Sequence, residues 1–284
     1  MAASAARIAT RRIGNVFFVG FCLLVTFIAL AFLAAILWSL VRQGVAGFDL
    51  DVFTKSTPAP GSVGGLLNAI VGSIMLCVLG MAVALVFGIL AGTWLAEYAG
   101  QSYYGGIVRF LNDVMLSAPS ILIGLFVYEL LVAHGFHHFS GYAGSFALAL
   151  IAIPVIARNT EEVLRLQPVS LRESGIALGT PFWTVIRTIL WTASSSGILT
   201  ACLLAFARIS GETAPLLFTA LNNQFFSWNM SQPMANLPSV INQFAMSVDD
   251  NWRRLAWVAA LLIAGSVLGV TILARVLTRE QKRS

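Results

Sequence analysis

Charge is scarce in this chain. Lys, Arg, Asp and Glu together make up 10% of its 284 residues, against about 25% in soluble domains. So little charge excludes a water-soluble globule and makes lipid the bulk solvent. Lysine is nearly absent: Lys55 and Lys282 are the only two. Neither belongs to a Gly-x-x-x-x-Gly-Lys-Ser/Thr loop, so a phosphate-cradling P-loop is excluded and any ATP must be bound by another polypeptide. The three cysteines, Cys22, Cys77 and Cys202, lie far apart, each inside an apolar run and without a Cys-x-x-Cys partner. That excludes a disulfide framework and a zinc knuckle, and the cysteines read as small buried hydrophobes. His134, His137 and His138 are the only histidines; they read as a polar turn rather than a metal site. No nucleophile–base set is visible, and no cofactor or metal is expected in this chain.

What is abundant is hydrophobic length, with 58% of the residues apolar. A membrane-crossing helix needs about 20 such residues. Six candidates appear: within 13–41, within 66–96, at about 114–133, within 142–157, from near 187 to Arg208, and within 255–274. The first follows Arg7, Arg11 and Arg12 like a signal peptide. Its apolar run of 29 residues exceeds the about 7–15 of a signal h-region, so it reads as an uncleaved span. The net charge of +5 comes from basic residues scattered at the ends of apolar runs. That is a topology signal rather than a nucleic-acid surface, and no nucleic-acid partner is expected. With the N-terminus placed in the cytoplasm, twelve Lys and Arg fall inside and five outside, so both termini and the loop 158–187 are expected to be cytoplasmic. Gly88 and Gly92 form a GxxxG that would let two helices approach closely. Pro119 and Pro154 predict local kinks.

The loop 158–187 carries the most specific local signal. Ser170 and Glu173 have capping-box spacing. Gly179 can close the helix in a left-handed conformation. Thr180 and Pro181 look like the N-cap and first-turn proline of the next helix. A short helix over 171–178 is predicted, followed by a sharp corner.

Glu173-Ser-Gly-Ile-Ala-Leu-Gly179, with Ile189 ten residues on, resembles the EAA motif of binding-protein-dependent ABC importer permeases. Ser174 and Gly175 replace the motif's alanines, and Trp191-Thr192 its Leu-Pro end. A second stretch, Gly211-Glu212-Thr213-Ala214-Pro215 with Arg208 before it and Gln232-Pro233 through Asn236-Leu-Pro238 after it, closely resembles the phosphate-importer branch of that family, the PstA type. The likeness covers most of residues 66–280.

The resemblance implies an all-α polytopic membrane bundle of the type I importer permease kind, with six transmembrane helices and a cytoplasmic coupling helix. Residues 1–65 would form an N-terminal tail, first span and outer loop, and residues 66–280 the permease domain. The location implied is the bacterial inner membrane. The partners implied are a second permease chain of the PstC type, a cytoplasmic ATPase dimer of the PstB type holding Mg-ATP, and an extracytoplasmic phosphate-binding protein of the PstS type. Phosphate is the implied cargo, and membrane lipid surrounds the whole. Ser170, Glu173, Gly179, Thr180 and Pro181 would shape the ATPase-coupling helix.

Arg208 and Glu212 stand at i, i+4 and are expected to pair on one helix face, with the helix breaking just after them because Pro215 disfavours helix at Ala214. Charges inside a span are costly and face a bundle interior or a wet path. Arg208 and Glu212 are therefore candidates for the translocation pathway as well as for a structural salt bridge. Glu129 is a second pathway candidate, with an interfacial carboxylate as its plainer reading. The rival readings are a permease for another oxyanion of the sulfate or molybdate class, a secondary transporter working alone, and a membrane enzyme. The last would need a convergent polar site.

Overall fold

A computed structural model describes residues 2–281, and the side chains of residues 11–276 apart from residue 13. Of the basic residues counted for topology, Arg7, Arg279, Lys282 and Arg283 lie outside the described side chains. The helices in order are α1 (Ala2–Ala46), α2 (Asp51–Thr54), α3 (Leu67–Glu97), α4 (Tyr103–Ser117), α5 (Ser120–Val127, continued by π-helical turns Tyr128–Phe136), α6 (Gly141–Arg165), α7 (Val169–Ala177), α8 (Phe182–Val185, continued by π-helical turns Ile186–Leu190), α9 (Trp191–Ala193), α10 (Ser195–Ser210), α11 (Ala214–Thr219), α12 (Leu237–Ala245) and α13 (Asp250–Gln281). No strand occurs among the described residues.

Four helices are long and apolar enough to cross a membrane: Gly14–Ala46, Leu67–Glu97, Gly141–Arg165 and Asp250–Val276. Two bent pairs complete the set, Tyr103–Ser117 with Ser120–Phe136 at 105° and Phe182–Ala193 with Ser195–Ser210 at 74°. Counting each bent pair as one crossing gives the six spans that the hydropathy predicts.

Two spans differ from the expected segments. The third is not a run at 114–133; it begins at Tyr103 and turns sharply at Ala118-Pro119, because the residue before proline is pushed out of the helical region. The fourth does not end at Arg158 but continues to Arg165. Its charges are satisfied locally, Arg158 by Glu162 at 2.6 Å and Asp113 at 3.2 Å, so they do not terminate the helix. The same helix runs unbroken through Pro154.

Side-chain caps start the helices that follow tight turns. Ser102, Ser140 and Asn236 accept from the backbone N–H groups of Gly105, Ala143 and Ser239, each offsetting one of the unpaired donors at a helix start.

The centre of the bundle is the parallel pair α3 and α6. Within a membrane helices gain nothing from hydrophobic burial against one another, so close van der Waals packing must hold them. Glycines supply it. A Cβ at Gly80 would meet the Ser145 carbonyl oxygen at 3.0 Å, one at Gly88 the Ile156 Cβ at 2.7 Å, and one at Gly92 the Ala157 carbonyl oxygen at 2.5 Å. The GxxxG at Gly88 and Gly92 is thus part of a longer seam. Around it Leu76, Ala84, Leu148, Ile151, Ile156, Ala205, Ile209 and Leu216 form the main buried cluster. The body of α1 stands apart: residues 14–37 are exposed, and α1 meets α13 only near its C-terminal end, where Gly44 lies against Leu261 and Gly47 against Arg254 and Val258. Cys22 is exposed on that helix, whereas Cys77 and Cys202 are partly covered. The expectation of three buried cysteines therefore fails for Cys22.

Candidate functional site

Three groups of residues were singled out from the sequence, and they lie apart from one another. The first is the α7 corner, beyond the ends of α3 and α6. Gly179 adopts φ +73°, the left-handed conformation expected of it, and its N–H donates to the Ile176 carbonyl at 2.9 Å. The capping box does not form. α7 begins at Val169 with Pro168 as its N-cap and no side-chain cap, so Ser170 lies inside the first turn and Glu173 is exposed. Pro168, with φ −57° and ψ 139°, already sets the chain direction and starts the helix two residues before Ser170, and its carbonyl accepts from the Leu171 N–H at 3.2 Å. The next corner is offset in the same way. Pro181, not Thr180, is the N-cap of α8, again without a side-chain cap.

What holds α7 was not read from the sequence. Arg172 grips Glu97, the last residue of α3, with two bonds, Nε to Oε2 at 2.8 Å and Nη2 to Oε1 at 2.6 Å. Two further N–H groups donate to the carbonyls of Gln167 at 2.9 Å and Leu164 at 2.8 Å, at the end of α6. The Glu97 side chain is 2% exposed and that of Arg172 18%. This planar, two-pronged arrangement is the strong form of an arginine–carboxylate contact, and the bond to Glu97 is the main reason the Arg172 pKa lies above its ordinary value. On the other side of α7, Gly175 is buried so tightly that a Cβ would stand 2.8 Å from Val185. The outward face keeps large apolar side chains in the open: Leu178 is 82% exposed, and Val169 and Ile176 are also exposed.

A second ion network stiffens the same end. Glu161, 4% exposed, accepts from Arg109 Nε at 2.7 Å and is ion-paired with Arg165 at 2.8 Å. Arg109 also donates to the carbonyls of Leu95 and Gly100, which ties the α3–α4 turn to α6. A spacing search cannot find the Arg109–Glu161 and Arg172–Glu97 pairs because they join residues 52 and 75 positions apart.

The second group is Arg208 and Glu212. Arg208 closes the last turn of α10, and the helix ends at Ser210 with Gly211 as C-cap. The break therefore falls between the two residues rather than after them. Glu212 sits in the 211–213 turn, its N–H donating to Ile209 O at 3.3 Å. Arg208 Nε and Glu212 Oε1 are 3.9 Å apart, the side chains 35% and 17% exposed. That is an ion pair at the long limit, without a hydrogen bond. Pro215 fixes the far side of the break. It lies at the start of α11 and packs on Gly124 of α5, where a Cβ would stand 2.6 Å from the Pro215 Cα. Thr219, at the end of α11, passes its carbonyl to Ser140 N at 3.0 Å. The far side of the break is thus held by neighbours while Arg208 and Glu212 stay loosely engaged and reachable.

The third group, Glu129, does not join them. It lies in the π-helical turns after α5, is exposed, and stands 3.3 Å from His134 Nδ1. His138 bonds the Ser231 carbonyl at 2.8 Å. Among the described residues no set of three metal-ligating side chains gathers.

A multi-pass bundle with a broken span carrying a charge pair, and a short helix strapped outside it, is the architecture of a transport subunit. The family model described as binding-protein-dependent transport system inner membrane component matches residues 84–283. A solved structure described as inward-facing conformations of the MetNI methionine ABC transporter superposes with a TM-score of 0.62 at 17% identity, covering 75% of this chain and 95% of that one; at that identity it supports the fold alone. The chain is 51% identical over 272 residues to a phosphate transport system permease protein PstA of Haemophilus influenzae, covering 96% of each. It is also 51% identical over 244 residues to a PstA of Xylella fastidiosa, covering 86% of this chain and 85% of that one. The chain belongs to the family of binding-protein-dependent inner membrane transport components, on its PstA branch.

Proposed function

We propose that this chain is the permease subunit of an ATP-driven phosphate importer. It forms half of the translocation pathway beside a second related permease of the PstC type. Residues 1–65 add a tail, span and outer loop to the permease unit 66–280. Phosphate is delivered by an extracytoplasmic PstS-type binding protein, and both termini lie in the cytoplasm with α7. The observation that carries the coupling role is the two-sided character of α7: one side strapped to α3 and α6 through Arg172, the other presenting Leu178, Ile176 and Val169 uncovered. An apolar face on a helix beyond the ends of the spans is best satisfied by protein, and a PstB-type ATPase dimer carrying Mg-ATP fits it. Closure of that dimer would push α7 and, through Arg172, the central helix pair.

In the pathway, Arg208 offers an oxyanion a guanidinium fork once Glu212 lets go, which a 3.9 Å contact permits more readily than a bidentate one. Glu129, exposed beside His134, serves at most as an entry-side charge.

The test of coupling is Gly179→Val. A β-branched residue at φ +73° is disfavoured by roughly 1–2 kcal/mol or more, so α7 is expected to reorient, with phosphate uptake falling while ATPase activity persists. Co-purification of the ATPase and radiolabelled uptake read it out; normal values of both would remove the docking role. Reporter fusions after Ser284 and within 222–250 should report opposite sides of the membrane.

A further inference from the structure

At the end of the bundle opposite α7, where the C-terminal end of α1 crosses the start of α13, lies a cavity of about 490 Å³ lined by Gln43, Gly47, Asp250, Arg253, Arg254 and Trp257. Its charges do not balance. Arg253 is paired with Asp250. Arg254 is half-buried, its stem against Gly47, and its Nε is buried without a hydrogen-bond partner. No carboxylate stands within ion-pair distance of Arg254 among the described residues. A guanidinium cannot shed its proton to escape this situation, so a partly desolvated arginine without a counter-charge calls for an anion. Asp249 does not supply it, being occupied with the N–H groups of Gly61 at 2.9 Å and Asn251 at 2.8 Å.

We propose that this cavity binds the phosphoryl headgroup of an anionic phospholipid, with the acyl chains lying in the wedge between α1 and α13. The location selects lipid over a dissolved anion. The cavity stands at the head of two membrane-length helices, Gly14–Ala46 and Asp250–Val276, at headgroup level, and Trp257 flanks it as interfacial tryptophans do. Below the crossing α1 leaves α13, so Leu33, Leu37 and Trp38 are exposed beside an open wedge. A free phosphate would use the arginine and leave that wedge unfilled; a diacyl lipid fills both. The consequence is a lipid-dependent position for α1, whose contacts with the rest of the chain are otherwise confined to the crossing at Gly44 and Gly47.

The test is native mass spectrometry of the intact transporter complex released from nanodiscs of mixed phosphatidylglycerol and phosphatidylcholine, alongside a photoactivatable phosphatidylglycerol. The wild type should retain phosphatidylglycerol over phosphatidylcholine and be labelled within 43–47 and 253–257. Arg254→Gln should lower that retention about fivefold, the effect of one interfacial basic residue. Arg187→Gln, an exposed arginine elsewhere in the bundle, should not. Equal retention of the two lipids, unchanged retention in Arg254→Gln, or labelling confined to other segments would overturn the proposal. So would displacement of the lipid by millimolar inorganic phosphate, which would assign the arginine to the free anion, and a cavity found filled by an acidic segment of a partner chain. If Arg254→Gln fails to accumulate, the wild-type lipid preference and labelling map decide the question alone.

Discussion

Two arginine–glutamate pairs in this molecule have the same chemistry and opposite construction. Arg172 and Glu97 meet in two short bonds with a buried carboxylate and two backbone carbonyls completing the arginine. Arg208 and Glu212 meet once, at 3.9 Å, across a helix break, and both remain partly exposed. The first pair has four of the arginine's five N–H groups engaged and works as a fastening. The second keeps its donors free and its geometry adjustable. In a low-dielectric bundle the same two residue types serve as a joint or as a binding element, depending on how much of the arginine's fork is already used.

Breaking the fastening should have the largest effect. Glu97→Gln leaves Arg172 without its counter-charge and should cost about 3–5 kcal/mol, seen as a lowered melting temperature in detergent and lost phosphate uptake. The charge swap Glu97→Arg with Arg172→Glu sharpens the comparison. It restores the pair but turns a carboxylate toward the Leu164 and Gln167 carbonyls, so no rescue is expected in either assay.

The second pair should respond differently. Arg208→Gln or Glu212→Gln alone should cost only about 1 kcal/mol, because the contact is long and partly solvated. Abundance should be nearly normal, while Arg208→Gln abolishes uptake. The double neutral variant separates the roles: a structural bridge predicts that it transports, a pathway arginine that it accumulates yet stays inactive. Recovery of radiolabelled phosphate uptake in that variant would remove the contact between Arg208 and substrate.

The smallest effect concerns a single partly exposed carboxylate. The Gly61 N–H, joined by that of Asn251, holds the Asp249 pKa below its ordinary value. A depressed folded-state pKa contributes stability above the unfolded-state value and loses it as pH falls through the folded one. Protection of the Gly61 amide against hydrogen exchange, relative to its intrinsic rate, should therefore fall only in acid, below the usual carboxylate range, and Asp249→Asn should abolish that pH dependence.

Much of this organisation was legible in residue order. The six apolar segments, the GxxxG contact and the left-handed Gly179 follow from local chemistry. The capping box at Ser170 failed because Pro168, two residues earlier, starts the helix by backbone geometry. The break beside Arg208 was placed too late because Gly211 ends α10 before Pro215 can act. The short amphipathic start of the third span was hidden because Arg109, Asn112 and Asp113 look like loop residues until Glu161, the Pro154 carbonyl and Arg158 are placed opposite them. The fastening role of Arg172 is not legible in the sequence, since nothing local points to a partner 75 residues away.

The glycine seam between α3 and α6 sets the gearing of the molecule. Two helices that interlock at Gly80, Gly88 and Gly92 cannot slide or part without opening voids, so they turn as one lever. The 31 residues of α3 make an arm of roughly 46 Å, and a tilt of about 5° at the Arg172 end swings the opposite end by roughly 4 Å. A small angular stroke on one surface of the membrane thereby becomes a displacement wider than a water molecule on the other.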